Sequence, residues 1–235
     1  MPDVTAPVIQ LTAVVKQYGG LRPLRIAELE VRSGERVALS GLDATAAPVL
    51  VNLVTGAMLP DEGMVRSFGR SSAEIRSGDD WLASLERFGI VSPRAVLLED
   101  ATVQQNLAMP YTLQIDPVPR DIAERVAALS AECGLDAALL TERVGKLPAD
   151  LRARLHFARA IALAPQLLIL EHPTADVSPG GRAPFARTLA AAAQARGLTV
   201  LAITFDADFA AIVAHRSLTL NGATGAVKKW KKGWF

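Results

Sequence analysis

Apolar and polar positions along this 235-residue chain switch repeatedly between two periods. Residues 8–15 (VIQLTAVV) and 24–31 (LRIAELEV) alternate or run apolar as strands do, with Gly19, Gly20 and Pro23 breaking the chain between them. Ser33-Gly34 turns the chain into a short buried strand at 36–40, and a helix-like segment follows at about 47–53. Residues 59–63 (LPDEG) read as a turn, 64–68 as an exposed strand, and 89–91 as the end of another strand broken by Pro93. From there to about residue 164 the pattern predicts mostly helix. Ile122, Val126, Ala127 and Leu129 mark one face of a helix over 121–131, with Gly134 as its stop.

Residues 151–174 (LRARLHFARAIALAPQLLILEHPT) organise the rest. Leu151, Leu155, Ala158 and Ala162 recur at helical spacing, with Arg152, Arg154 and Arg159 between them. This predicts a helix to Leu163 or Ala164, stopped by Pro165. The run Leu167-Leu168-Ile169-Leu170 is too short for a helix and reads as a strand buried on both faces. It delivers Glu171-His172-Pro173-Thr174 at its carboxyl end, where open α/β sheets place their sites. Gly180-Gly181, a helix over 184–195 and a second buried strand at 199–203 continue the rhythm. Strands alternating with helices predict an α/β fold with a mainly parallel sheet.

Composition changes this picture little. Half the residues are hydrophobic and 21% are charged, as in ordinary globular chains. The net charge of +1 gives no reason to expect nucleic acid as a partner. Cys133 stands alone, which fits a reducing compartment. The first residues lack a signal layout, and no apolar run approaches the ~18–20 residues of a membrane span. The expectation is a soluble or peripheral protein. His156, His172 and His215 are too dispersed, with Cys133, for metal-ligand spacing, so no metal site is expected.

The order of the pieces resembles the nucleotide-binding subunit of ABC transporters over roughly residues 8–226. Lys16-Gln17-Tyr18-Gly19 looks like that family's aromatic loop, and residues 33–39 look like the strand entering its phosphate loop. Leu53-Val54-Thr55-Gly56 and Leu59-Pro60-Asp61-Glu62-Gly63 are similar to the segment after that loop. Leu97-Leu98, Thr102-Val103 and Asn106 resemble the stretch beside the docking groove for the transmembrane partner. Ala158-Arg159-Ala160, Leu167–Leu170 and Pro173-Thr174 resemble what flanks the family's catalytic acids. The resemblance implies a P-loop NTPase-like ABC domain over residues 1–226. It has a mainly parallel core sheet, an N-terminal antiparallel β region and an inserted helical subdomain at about 93–164; residues 227–235 form a tail.

The positions that should carry chemistry differ. A phosphate loop needs glycines so that backbone N–H groups converge on phosphate, a lysine for charge and a hydroxyl for Mg²⁺. Here Gly41 remains, but Ala46, Ala47 and Pro48 stand for the second glycine, the lysine and the hydroxyl residue. Each charge-assisted contact is worth ~1.5–3 kcal/mol, so losing several weakens binding by orders of magnitude. Glu171 and His172 stand for the magnesium-binding aspartate and the catalytic glutamate. Glu171 is long enough to approach a metal; His172 reads as a hydrogen-bonded structural histidine or, on the competing view, a base. Pro93 aligns with the family's glutamine, Phe205 with its switch histidine and Ser178 with its D-loop aspartate. The signature aligns with Leu147-Pro148-Ala149-Asp150-Leu151, which puts a carboxylate where a phosphate should approach. Tyr18 is the one retained nucleotide contact.

These replacements imply a pseudo-ATPase with no cofactor. It would be peripheral at the cytoplasmic face of a membrane, docked on permease subunits of a lipid or lipoprotein export-like system and paired with itself or a second ABC subunit. Two alternatives stand beside it: an ATP-hydrolysing subunit that takes Mg²⁺–ATP and works through Glu171 and His172, and a soluble regulator of ABC fold. The tail Lys228-Lys229-Trp230-Lys231-Lys232-Gly233-Trp234-Phe235 suits either a membrane surface or a solvated end.

Overall fold

The computed structural model describes residues 7–230. In chain order its elements are β1 (Pro7–Lys16), β2 (Leu24–Arg32), β3 (Arg36–Ser40), α1 (Ala46–Val54), β4 (Glu62–Ser67), β5 (Arg70–Ser71), α2 (Gly78–Leu85), β6 (Phe88–Val91), α3 (Val103–Ala108), α4 (Arg120–Glu132), α5 (Ala149–Ile161), β7 (Leu167–Glu171), α6 (Pro179–Ala195), β8 (Thr199–Ile203), α7 (Ala207–Val213), β9 (Arg216–Leu220) and β10 (Val227–Lys229). They build a four-stranded antiparallel sheet, β2-β1-β4-β5, and a six-stranded sheet, β10-β9-β3-β8-β7-β6. In the larger sheet β9, β3, β8, β7 and β6 are parallel, and β10 joins antiparallel to β9.

The unbroken apolar runs of β7 and β8 follow from a core on each face of that sheet. Leu167, Ile169, Leu201 and Ile203 face a cluster formed with α1 and the antiparallel sheet. Leu168, Leu170, Val200 and Ala202, the alternate residues, face a second cluster built from α3 to α7. A strand so placed has no solvent side and, Thr199 at the start of β8 apart, carries no polar position until it ends. Among the described residues no helix is long and apolar enough to cross a membrane.

Several expectations need correction. The stretch 93–164 holds only three helices, joined by irregular segments and 3-10 turns. Pro93, Pro110, Pro117, Pro119 and Pro148 interrupt it, because proline lacks the N–H that a helix interior uses. The strand expected to be exposed at 64–68 is β4, which pairs with β1 and buries Val65. Helix α5 ends at Ile161, before Leu163. Helix α6 begins at Pro179, not 184, because Ser178 caps it and Pro179 occupies its first turn. The tail expected from residue 227 instead starts as β10, an edge strand whose Lys228 and Lys229 are exposed. Lysine suits an edge because its charge opposes further strand pairing. Lys231, Lys232, Gly233, Trp234 and Phe235 lie outside the described residues.

Candidate functional site

The carboxyl ends of β3, β7 and β8 converge on the replaced positions. Gly41 leaves β3 with φ +94, and a Cβ there would lie 2.3 Å from the Leu220 carbonyl oxygen on β9. Glycine is therefore demanded by close backbone packing, with no reference to a phosphate. Beyond it Asp43 closes the loop on itself. Its Oδ1 accepts from the backbone N–H groups of Thr45 (3.0 Å) and Ala46 (2.8 Å) and from the Thr45 hydroxyl (2.7 Å). Its own carbonyl accepts from the Ala47 N–H at 2.9 Å. Asp43 thus caps the turn that leads into α1, whose N-cap position is Thr45, and holds the amides of Thr45 and Ala46 on an anion supplied by the chain itself. The Thr45 hydroxyl first, then the Ala46 amide, hold its carboxyl below the ordinary aspartate range. Ala46 and Ala47 are buried in the core cluster around α1, and Pro48 has no N–H to offer.

At the end of β7, Glu171 is only 2% exposed and its Oε2 is taken. It accepts from the Ser92 hydroxyl at 2.8 Å and from Arg94 Nη2 at 3.0 Å. Ser92 Oγ in turn accepts from the Arg94 amide and from Arg94 Nε, which makes a closed three-residue knot. A guanidinium thus already supplies the counter-charge of Glu171, the residue expected from the sequence to be long enough to approach a metal. Pro93, between the two knot residues, is exposed and has no polar side chain.

His172 departs from the hydrogen-bonded structural histidine that was expected. Its backbone sits at φ +44, its N–H donates to the Ile203 carbonyl (2.9 Å), and its buried Nε2 has no hydrogen-bond partner among the described residues. Its ring stacks on Phe205, with centroids 5.6 Å apart and planes 10° from parallel. Phe205 is 48% exposed, so this pair forms an aromatic lip where the resemblance implied a polar switch.

The signature positions lie at the start of α5. Leu147 is buried, Pro148 and Ala149 are exposed, and Leu151 packs on the helical core. Asp150 reaches across to the loop before α6, where it accepts from the Ser178 amide and hydroxyl, each at 2.7 Å. Those bonds, the hydroxyl first, hold its carboxyl below the ordinary range. A Cβ at Gly181 would lie 2.0 Å from Asp150 Oδ2, so the glycine makes room for this tie.

Two clefts border these groups. One of about 830 Å³ brings together Tyr18, Gly41, Asp43, Thr45, Ala46 and Phe205. Tyr18 is half-buried in it and folded over Gly20, where a Cβ would lie 2.7 Å from the ring. The other, about 620 Å³, is lined by Ser92, Pro93, Arg152, His156, Glu171 and His172.

Comparison with known proteins identifies this arrangement. The family model described as "ABC transporter" matches residues 24–175, well over half of the chain. The chain belongs to the ABC transporter family. It is 29% identical over 210 residues to the Fe(3+) ions import ATP-binding protein FbpC of Mesorhizobium japonicum, covering 88% of this chain and 57% of that one. It is 32% identical to the phosphonates import ATP-binding protein PhnC of Anaeromyxobacter dehalogenans, covering 83% and 40%. The methionine import ATP-binding protein MetN of Brucella abortus is 30% identical, covering 94% and 59%. The chain therefore spans about half the length of the curated relatives it matches. Among solved structures, the dimeric ATP-binding cassette MJ0796 bound to ADP and Pi has a TM-score of 0.77 at 19% identity, covering 96% of this chain and all of that one. CbiO1 of Clostridium perfringens, described as part of the ABC transporter complex cbiONQ, has a TM-score of 0.78 at 21% identity, covering 94% and 87%. At these identities the two structures show a shared ABC cassette fold.

The residues that sequence reasoning missed are Asp43, Ser92 and Arg94. Asp43 had a readable signal, an aspartate two residues before a threonine at the head of a predicted helix. Arg94 had none, because its partner is 77 positions away.

Proposed function

We propose that this chain is a non-hydrolysing ABC-type subunit that docks on a membrane permease at its cytoplasmic side and acts by binding, not by burning nucleotide. One observation carries the reading: the amides at the N-terminus of α1 donate to the carboxylate of Asp43, in a loop without lysine or a metal-holding hydroxyl. A triphosphate entering there meets the carboxylate of Asp43 and no lysine in the loop; the nearest cations lining the cleft are Arg22 and Arg25, outside the loop. Three other features run the same way. Glu171 is paired with Arg94, Phe205 offers no hydrogen bond, and Asp150 adds a second carboxylate at the signature position. The lysine and the following hydroxyl that hold magnesium nucleotide in a phosphate loop are thus replaced by Ala47 and Pro48.

Docking is supported by the segment that follows β6. Val96 and Leu98 are 74% and 41% exposed, and Leu163 is 55% exposed. Ala95, Leu163, His156 and Arg159 line a cleft of about 350 Å³ beside this edge of the sheet. The relatives named above serve import, so they lend no support to a lipid or lipoprotein export-like system; cargo choice is left to the permease.

The test is phosphate release from Mg²⁺–ATP by the purified chain, and none above buffer is expected. One observation favours the runner-up, a weak ATPase: the buried Nε2 of His172 has no hydrogen-bond partner among the described residues, which leaves it the candidate base. In that case release is measurable and falls when His172→Ala is made.

A further inference from the structure

The segment between β6 and α3 is a strap fastened at both ends. At its start the Ser92–Arg94–Glu171 knot ties it to β7 of the sheet. At its far end Arg159 of α5 donates to the Val96 carbonyl (2.7 Å), and the buried Asn106 of α3 bonds both the N–H and the carbonyl of Leu98 (2.9 and 3.0 Å). The strap thus connects the sheet to the helical part, and its exposed Val96 and Leu98 belong to the surface assigned above to docking. Glu171 is 2% exposed while Arg94 is 50% exposed, so the guanidinium reaches in from the surface to a buried carboxylate. A buried carboxylate without a counter-charge is costly, which makes the arginine a requirement of this geometry.

We propose that Arg94 replaces a bound divalent cation at Glu171, as a built-in counter-charge that fastens the strap to the sheet in one shape whether or not Mg²⁺ or nucleotide is present. The inference rests on the non-hydrolysing reading, which it deepens: the exposed Val96 and Leu98 are held in place by an ion pair of the chain's own residues. Arg94 is on this basis a positioning residue. The Arg94 N–H bonds Ser92 Oγ (3.2 Å) and the Ala95 N–H bonds the Ser92 carbonyl (3.0 Å), so these two amides report the knot, whereas the Leu98 amide reports the far end.

Amide hydrogen exchange on the full chain tests this. In the wild type, exchange at residues 94 and 95 is expected to be unchanged by Mg²⁺–ATP. In Arg94→Gln those amides should exchange at least about tenfold faster, while the amides of β7 and α5 keep their protection; Arg94→Lys should restore part of it. Glu171→Gln, which keeps the side chain's shape, should give a smaller acceleration at the same amides and guards against an Arg94 variant that folds poorly. Equal exchange in the wild type and both neutral variants would overturn the proposal, as would wild-type amides slowed by Mg²⁺–ATP. Calorimetric binding of Mg²⁺–ATP that leaves the strap's exchange unaltered would defeat the proposed function and leave the latch standing.

Discussion

Replacing Asp43 by alanine separates a structural loop from a nucleotide site. Its carboxylate accepts three hydrogen bonds, two of them from amides at the head of α1, and it is exposed. Loss of a capping aspartate costs ~1 kcal/mol, within a range of about 0.5–2, and exposure argues against the upper end. In a chain of this size ~1 kcal/mol lowers Tm by roughly 2–4 °C. Asp43→Asn keeps a capping oxygen and should recover most of that loss. The pH dependence has a definite sign. The native carboxyl titrates below its ordinary value, so its stabilisation is complete above the unfolded value of ~3.9 and is lost as pH falls through the native one. Urea melts of wild type and Asp43→Ala should therefore differ at neutral pH and converge in acid. A variant as stable as the wild type at neutral pH would refute the capping role. A variant that gains stability when Mg²⁺–ATP is added, where the wild type does not, would show that the loop still forms a phosphate site once its own anion is removed.

Three further outcomes follow from the structure. Gly41→Ala should destabilise the fold by roughly 2–4 kcal/mol in urea, with or without nucleotide, since the added Cβ meets the Leu220 carbonyl at φ +94; an effect confined to ligand binding would contradict the packing argument. Burial, followed by the Glu132 carboxylate, pushes the Cys133 thiol up to about 12, so iodoacetamide at mildly alkaline pH should label it only after unfolding. Burial first, then Arg159 and Arg152, holds His156 below the ordinary histidine value. The native state then favours the neutral ring, and stability is full above ~6.5 and declines as pH falls below it. His156→Gln should flatten that slope, read from urea midpoints at about pH 5.5 and about pH 7.5.

Much of the fold was legible because β7 and β8 are buried on both faces, and an unbroken apolar run too short for a helix fits little besides a strand in that position. Helix α2 was not, since it spans only two turns and buries no residue completely; the Ser77 cap and the acidic Asp79 and Asp80 of its first turn are its sequence marks. Strand β9 alternates over only five residues and shows its two buried leucines, Leu218 and Leu220, once its parallel pairing with β3 is known. At the site, the sequence named the positions where the resemblance places the family's chemistry but not what the residues there touch. That Ala47 carries no charge and Pro48 no hydroxyl is plain from identity alone. That Asp43 fills the place of an anion, that Arg94 neutralises Glu171 and that Asp150 ties down Ser178 depends on distances across the fold. Local pattern reports identity, and tertiary contact reports what each residue touches.

On the function proposed above, the loop after β3 takes no triphosphate. Isothermal titration of the full chain with Mg²⁺–ATP addresses it directly. No heat of binding is expected up to millimolar nucleotide, where even a bare ~4 kcal/mol of affinity would register. A micromolar dissociation constant, lost when Gly41, Thr45 or Tyr18 is altered without unfolding the protein, would contradict it.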